Sequence, residues 1–272
     1  MTGVWIVVFI LGGFWLHPLS FFLTGLVLLA GTQYEYFIII RNSGVRAQVL
    51  PGLTISISMY TIATLVAAGI ISSRWFLLLV PMFITVILAE LYRKQNRPFD
   101  SVAHTIFSVL YTAVPFSMFP YAAFSHEGIS SLLPHSKLMF SPGIILGFFF
   151  LLWANDTGAY LTGILVGKHR LMERISPKKT WEGFFGGMVT SAAVAWLLSG
   201  WLGEVTAYGW IVIAVIVSVA GTYGDLAESM LKRSNGVKDS GTIMPGHGGF
   251  LDRFDSAIIS FPLVYLFISL FG

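Results

Sequence analysis

The C-terminal part of the chain carries the most informative stretch of sequence. Residues 210–271 read WIVIAVIVSVAGTYGDLAESMLKRSNGVKDSGTIMPGHGGFLDRFDSAIISFPLVYLFISLF. Two apolar runs, Trp210–Ala220 and Ala257–Phe271, enclose the charged segment Ser229–Asp255, which is interrupted by glycines. A segment of this kind at the edge of a bilayer is suited to binding polyphosphate and metal next to a lipid.

The composition of the chain agrees with a membrane location for these apolar runs. Its 272 residues are 56% apolar and 11% charged, and the mean hydropathy is +0.79. Soluble domains carry about 25% charged residues, so this chain has too few polar side chains to cover a water-soluble body. The composition predicts an all-α, polytopic integral membrane protein. Since there is no cysteine, disulfides, thiolate catalysis and cysteine-ligated metal sites are excluded.

A membrane-spanning helix needs roughly 20 mostly apolar residues. The hydropathy pattern predicts about nine such helices, near residues 3–16, 20–40, 49–71, 75–91, 101–124, 138–166, 183–200, 207–228 and 256–271. The first segment lacks a basic leader and is expected to be a retained helix, not a cleaved signal. We divide the chain into N-terminal membrane helices, 1–100, and a catalytic membrane region, 101–272, with cytoplasmic loops at 167–182 and 229–255.

The basic residues predict the orientation of these helices. If the N-terminus is cytoplasmic, the outer loops hold only Arg74 and Lys137. The inner loops then hold the other 14 of the 16 basic residues: Arg41, Arg46, Arg93, Lys94, Arg97, Lys168, Arg170, Arg174, Lys178, Lys179, Lys232, Arg233, Lys238 and Arg253. Positive charge favours the cytoplasmic side, so the N-terminus and the segment Ser229–Asp255 are expected there.

Several carboxylates lie at or inside the predicted helices. Asp225 and Glu228 are three residues apart near the end of the eighth helix, and Asp252 and Asp255 have the same spacing at the start of the ninth. Asp156 is surrounded by apolar residues in the sixth. Ionisable groups in membrane helices usually mark functional paths, and carboxylates are the ligands that Mg²⁺ prefers. A simpler interpretation is that the acids at the start of the ninth helix only favour its N-terminus.

Basic residues and glycines alternate with these acids. The bases of the segment Ser229–Asp255 are Lys232, Arg233, Lys238 and Arg253, and its glycines are Gly236, Gly241, Gly246, Gly248 and Gly249. Arginine and lysine bind phosphate oxygens, and glycine lets the backbone approach a ligand closely. Binding of anionic lipid headgroups is the alternative role for such bases.

A second basic segment precedes the predicted seventh helix. It contains Ser176, Pro177, Lys178 and Lys179. Pro177 is predicted to begin a short interfacial helix that Ser176 caps. The two lysines are candidates for phosphate binding, with a purely topological role as the alternative. Among the histidines, only His247 lies between the bases and the acids, where it is a candidate for phosphate binding or for organising the loop.

The segment Ser229–Asp255 resembles phosphatidate cytidylyltransferases, also called CDP-diacylglycerol synthases. The family pattern fixes a Ser, a Lys-Arg pair, a Lys-Asp pair, a His-Gly-Gly run and an Asp-Arg-x-Asp ending with apolar or small residues between them. The matching positions are Ser229, Leu231, Lys232, Arg233, Lys238, Asp239, Gly241, Met244, Pro245, His247, Gly248, Gly249, Phe250, Asp252, Arg253, Phe254 and Asp255. Met244 departs from the usual Leu, Ile or Phe but keeps the apolar volume.

The resemblance extends upstream of this segment. Asn155–Tyr160, Ser176–Gly183 and Gly224–Ser229 are similar to other blocks of the family. The N-terminal helices resemble it mainly by hydropathy and by Glu35, since members often have a glutamate in the membrane at that place. The match therefore runs from about residue 151 to the C-terminus.

The resemblance implies a reaction and its partners. CTP and phosphatidic acid would give CDP-diacylglycerol and pyrophosphate, with Mg²⁺ as the cofactor and a monovalent cation such as K⁺ beside it. Family members look dimeric, so a homodimer in the lipid bilayer is expected, with no nucleic acid partner. The location implied is a bacterial cytoplasmic (inner) membrane.

The resemblance also implies roles for individual residues. The expected metal ligands are Asp225, Asp252 and Asp255, with Asp156, Glu228 and Asp239 as additional or outer ligands. The expected substrate-binding residues are Lys178, Lys179, Ser229, Lys232, Arg233, Lys238, His247, Gly248, Gly249 and Arg253. The expected catalytic set is Asp225, Lys232, Arg233, Lys238, Asp239, His247, Asp252, Arg253 and Asp255.

Two other classes of function are consistent with the residues. One is a different membrane transferase that acts on a lipid phosphate or a polyprenyl substrate with the same metal and phosphate chemistry. The other is an ion transporter, although transporters place ionisable groups near the middle of the bilayer and contain paired repeats. Here the charges cluster at one predicted face, and no repeat is evident in the sequence.

Overall fold

A computed structural model of the protein describes residues 2–126, 138–241 and 248–271, and it is almost entirely helical. Its α-helices are α1 (Thr2–Trp15), α2 (Pro18–Asn42), α3 (Val49–Ala67), α4 (Leu79–Arg93), α5 (Pro98–Ser108), α6 (Val114–Ala123), α7 (Gly143–Val166), α8 (Trp181–Ser199), α9 (Ala207–Ser234) and α10 (Leu251–Phe271). Its strands form two antiparallel pairs, β1 (Phe124–His126) with β2 (Leu138–Phe140) and β3 (Arg170–Met172) with β4 (Ser176–Thr180).

The long helices confirm the predicted fold class. In the described part of the chain, seven helical segments are long and apolar enough to cross a membrane: Pro18–Asn42, Val49–Ala67, Ser73–Arg93, Pro98–Ala123, Gly143–Val166, Ala207–Ser234 and Leu251–Phe271. The protein is therefore an all-α, polytopic integral membrane protein. The predicted number of nine is not confirmed, because α1 has 14 residues and α8, which contains Glu182 and three glycines, is also not among the seven.

Several helix boundaries differ from the prediction. The sixth predicted helix starts late, at Gly143, because residues 138–140 pair with β1 instead. Helix α9 continues to Ser234, and α10 begins at Leu251, so both ends of the predicted loop 229–255 are helical. Basic residues in the last turn of α9 favour its extension, since they interact well with the negative end of the helix dipole.

The predicted interfacial helix at Pro177 is wrong. Residues Ser176–Thr180 form β4, an extended strand paired with β3. Helix α8 begins after Thr180, whose hydroxyl accepts a hydrogen bond from the N–H of Gly183 at 3.2 Å. Threonine is a good N-cap residue, and its position here moves the start of the helix beyond the basic residues.

The chain divides into two compact units. The first unit contains Met1–Pro142 and Ser234–Arg253, and the second contains Gly143–Arg233 and Phe254–Gly272. The predicted division at residue 100 stays a prediction.

Aromatic packing builds the core of the first unit. Phe21 is completely buried and contacts Phe14, Phe124 and Phe140 at ring-centroid distances of 5.0–6.3 Å. A π-helical turn, Val109–Ala113, separates α5 from α6. Pro115 lies two residues after this turn and lacks the N–H needed for a regular helical bond, which accounts for the distortion.

Glycines let α7 and α8 pack closely in the second unit. A Cβ atom on Gly187 would lie 2.7 Å from the carbonyl oxygen of Asn155, and one on Gly183 would lie 2.8 Å from that of Ala159. Small residues at helix contacts are typical of membrane proteins, since they let backbones approach each other. This packing fixes the ends of both helices, between which the β3–β4 hairpin lies.

Candidate active site

Three carboxylates converge in the second unit. Asp225 and Glu228 on α9 and Asp255 on α10 each place an oxygen within 4.8 Å of the others. Gly224 explains the convergence, because a Cβ atom there would lie only 2.7 Å from the carbonyl oxygen of Asp255. A larger residue would separate the two helices at this point. The three residues are named the acid cluster below.

Two lysines lie against the acid cluster. Nζ of Lys179, on β4, is 2.5 Å from Oδ2 of Asp225, and it also donates to the carbonyl oxygen of Thr222 at 3.4 Å. Nζ of Lys232 is 2.5 Å from Oε2 of Glu228, one helical turn earlier. Three buried or half-buried carboxylates repel one another, and the two ammonium groups reduce that repulsion.

Hydrogen bonds orient one oxygen of each aspartate in the acid cluster. The hydroxyl of Ser229 donates to Oδ1 of Asp225 at 3.3 Å. The backbone N–H of Ser256 donates to Oδ1 of Asp255 at 2.6 Å. Asp255 is buried, and such fixed carboxylates are the hard oxygen donors that a divalent cation requires. The donor set therefore fits Mg²⁺ chemically.

A cavity of about 520 Å³ opens beside Asp225. Its charged lining residues are Asp156, Arg170, Lys178, Lys179 and Asp225, and its other polar lining residues include Asn155, Tyr160, Thr180, Thr222 and Ser256. Three cations and two carboxylates thus face one space. Such a mixture suits a phosphate compound that binds together with a metal ion.

The position of the hairpin depends on Glu182. Its carboxylate accepts hydrogen bonds from the backbone N–H groups of Lys168 and His169 at 3.1–3.2 Å and lies 2.6 Å from Nδ1 of His169. Hydrogen bonds from its own backbone N–H and from the His169 ring lower the pKa of Glu182 to about 2. An ionised Glu182 therefore ties the start of the hairpin to the start of α8 at any pH near neutrality.

Asp252 has a different environment, in the first unit. Its Oδ2 accepts hydrogen bonds from the backbone N–H groups of Gly249, at 2.9 Å, and Ser240, at 3.3 Å. Gly248 has a φ of +78°, a value that glycine adopts without strain. A Cβ atom there would also lie 2.7 Å from Oδ2 of Asp252. The glycines predicted to bind substrate thus have a structural role around this carboxylate, and the metal role of Asp252 stays a prediction.

The structure places the other predicted residues as follows. Arg233, Lys238, Asp239 and Arg253 are exposed, in keeping with residues that contact a soluble substrate, and their roles stay predictions. His247 lies outside the described residues.

Sequence reasoning gave no binding role to several residues of the cavity. Arg170 was counted only as a basic loop residue, yet it faces the cavity together with Lys178. Its pairing with Thr180 across the β3–β4 hairpin brings it there. That pairing follows from the antiparallel register of the two strands. Because a helix was predicted at Pro177, the sequence did not indicate this pairing. Thr222 contributes its backbone carbonyl oxygen, which accepts from Lys179. Its residue type does not indicate such a contact, because every residue has a backbone carbonyl.

Comparison with known proteins defines the class. The model of the cytidylyltransferase family matches residues 1–271, and the chain belongs to this family of enzymes. Proteins named phosphatidate cytidylyltransferase are similar to it. The protein from Staphylococcus epidermidis is 37% identical over 191 residues, covering 70% of this chain and 68% of the relative. The protein from Staphylococcus haemolyticus is 35% identical over 221 residues, covering 80% and 79%, and that from Staphylococcus aureus is 40% identical over 192 residues, covering 70% and 68%.

Proposed function

We propose that the protein is a phosphatidate cytidylyltransferase, which converts CTP and phosphatidic acid to CDP-diacylglycerol and pyrophosphate. The names of its relatives supply the reaction. The observation that carries the proposal within the structure is the acid cluster, next to a cavity whose lining includes Arg170, Lys178 and Lys179. Carboxylates for a metal and cations for phosphate are the groups that nucleotidyl transfer requires.

The proposed divalent metal is Mg²⁺, held by Asp225, Glu228 and Asp255. A bound Mg²⁺ would neutralise phosphate oxygens during the transfer. Asp156 lines the adjacent cavity and serves as an outer ligand in this proposal. A monovalent cation such as K⁺ beside the metal also remains part of the proposal.

The proposed reaction forms and breaks one bond each at phosphorus. A phosphate oxygen of phosphatidic acid bonds to the α-phosphorus of CTP, the bond from that phosphorus to the bridging oxygen of the β-phosphate breaks, and pyrophosphate leaves. Both substrates are anions that repel each other, so charge neutralisation is the main task of the protein. The cavity-lining bases of the β3–β4 hairpin, Arg170, Lys178 and Lys179, bind phosphate oxygens in this proposal.

Phosphatidic acid is a bilayer lipid, so the site must lie near a membrane surface. The charge distribution of the loops favours the cytoplasmic side for the acid cluster and the N-terminus. The bacterial relatives support a bacterial cytoplasmic membrane. A homodimer is proposed on the resemblance to the family alone.

The decisive experiment measures the product of the purified protein. Radiolabelled CTP, phosphatidic acid in mixed micelles and Mg²⁺ are expected to give a labelled CDP-lipid and one pyrophosphate per product, and chelation of the metal stops the reaction. Replacing phosphatidic acid by a polyprenyl phosphate tests the alternative transferase. A protein that forms no CDP-lipid, but moves an ion across a liposome membrane, would contradict the proposal.

A further inference from the structure

A buried glutamate in the first unit contacts two residues of the segment Ser229–Asp255, one on each side of its glycine-rich part. Glu35, on α2, has no exposed surface. Its Oε2 accepts a hydrogen bond from the hydroxyl of Ser240 at 3.0 Å and another from the backbone N–H of Leu251 at 2.8 Å. Ser240 and Leu251 are separated in sequence by the glycine-rich residues, so a single carboxylate oxygen holds both ends together.

Asp252 strengthens the same connection. Glu35 accepts a hydrogen bond from the hydroxyl of Ser240. Asp252 accepts one from the backbone N–H of Ser240 and another from the backbone N–H of Gly249. Two carboxylates therefore hold Ser240 by different atoms. A buried carboxylate is costly unless hydrogen bonds compensate its burial, and the two contacts to Oε2 of Glu35 provide part of this compensation.

The surface of α2 is shaped to receive these residues. A Cβ atom on Gly31, one helical turn before Glu35, would lie 2.7 Å from the ring of Phe250. A Cβ atom on Gly249 would lie 2.1 Å from Oε2 of Glu35, and one on Gly241 would lie 2.7 Å from Oε1. Residues four apart lie on one helix face, so α2 presents a hydrogen-bond acceptor and a space for an aromatic ring to the same segment.

We infer that Glu35 is a positioning residue of the transferase, which fixes Ser240 and Leu251 and so places the bases Lys238 and Arg253 for phosphate binding. Each base lies two residues from a residue that Glu35 holds. The inference rests on the proposed function, since it assigns phosphate to these bases. Small displacements of positioning groups reduce rates strongly, by up to about 100-fold.

The test compares Glu35→Gln and Glu35→Leu with Glu90→Gln. An amide oxygen in Glu35→Gln can still accept from Ser240 and Leu251, so the KM for CTP is expected to stay within about threefold of the wild-type value. Glu35→Leu removes the acceptor, and the KM for CTP is expected to rise at least about fivefold. Glu90 is a matched control: it is a buried glutamate of the same unit that contacts Gln48, Arg93 and Ser101 instead.

A purely structural role predicts a different result. Loss of folded enzyme would lower the apparent kcat and the melting temperature of Glu35→Leu while leaving its KM unchanged, and this outcome would overturn the inference. If Glu35→Leu does not fold, Ser240→Ala decides the question, since it removes one donor and keeps the backbone contacts. An unchanged KM in Ser240→Ala would then contradict the inference.

Hydrogen exchange separates this inference from the proposed function. The amide of Leu251 is expected to exchange faster in Glu35→Leu than in the wild type or Glu90→Gln, whatever the substrate. If the wild-type protein makes no CDP-lipid, the proposed function fails, while faster exchange would still show that Glu35 holds these residues. Equal exchange in all three proteins would refute the contact itself.

Discussion

Nζ of Lys179 lies 2.5 Å from Oδ2 of Asp225, so the β3–β4 hairpin and the acid cluster meet through an ion pair. The lysine neutralises a carboxylate that the proposed metal also needs. A metal ion and an ammonium group would compete for this oxygen, and the negatively charged phosphates of CTP provide another partner for the ammonium. In the proposed function, this pair would therefore connect metal binding to nucleotide binding.

Replacement of Lys179 is expected to change nucleotide use and metal binding in opposite directions. In Lys179→Gln, kcat/KM for CTP should fall at least about tenfold, because a charged phosphate contact is lost. Binding of Mn²⁺, measured by electron paramagnetic resonance, should become tighter, by up to about fivefold, because a half-exposed ion pair contributes at most about 1 kcal/mol. Activity and metal affinity thus change in opposite directions.

Lys168→Gln is the matched control for this prediction. Lys168 lies just before the same hairpin, and only its backbone N–H contacts Glu182. Its substitution should leave both kcat/KM and Mn²⁺ affinity unchanged. Weaker metal binding in Lys179→Gln would show that the lysine does not oppose the metal.

Asp255 is expected to be indispensable for transfer. Asp255→Asn keeps the size of the side chain but removes a charged ligand, so kcat should fall at least about 100-fold at saturating Mg²⁺. The measurement is the formation of CDP-lipid by purified, folded protein. Asp100→Asn, which changes a partly exposed carboxylate in the first turn of α5, should retain activity. Normal turnover in Asp255→Asn would exclude Asp255 from the metal site.

The sequence predicts the helices better than their connections. Apolar runs of sufficient length identified the membrane helices, since a bilayer requires backbone hydrogen bonds to be satisfied within each segment. The spacing of Asp225 and Glu228 also placed them on one helix face. The hairpin at Ser176–Thr180 was missed, because its strand pairing depends on contacts with Arg170 and not on a local apolar pattern.

The sequence also does not predict which groups contact the buried carboxylates. Asp252 and Asp255 have the same residue type and lie only three residues apart, yet the first accepts from backbone amides and the second belongs to the acid cluster. The contact from Glu35 to Ser240 joins residues that are far apart in the chain. Such contacts follow from helix packing, which hydropathy and spacing do not specify.

The close packing of α7 and α8 gives a prediction about stability. Gly187→Ala would place a methyl group 2.7 Å from the carbonyl oxygen of Asn155, and overpacking of this kind costs about 1–3 kcal/mol. This cost should exceed the gain in helix propensity, which is at most about 1 kcal/mol, so the melting temperature in detergent should fall. Gly200→Ala, at the residue that caps the C-terminus of α8, is the control, because the nearest atom to its Cβ, the carbonyl oxygen of Leu197, would be 3.6 Å away. Equal melting temperatures for the two variants would contradict the packing argument.

The contact between Glu182 and His169 gives a prediction about pH. The pKa of Glu182 is lowered from 4.5 to about 2, so the ionised carboxylate stabilises the folded state fully above pH 4.5 and loses this effect as the pH falls towards 2. Glu182→Gln lacks the charge at every pH. Its melting temperature should therefore be below that of the wild type at pH 7, and the difference should shrink between pH 4.5 and pH 2. The measurement is thermal unfolding of both proteins across this range, with Glu173→Gln, an exposed glutamate between β3 and β4, as the control that shows no such trend. A difference that stays constant down to pH 2 would show that the ionised carboxylate does not hold the hairpin.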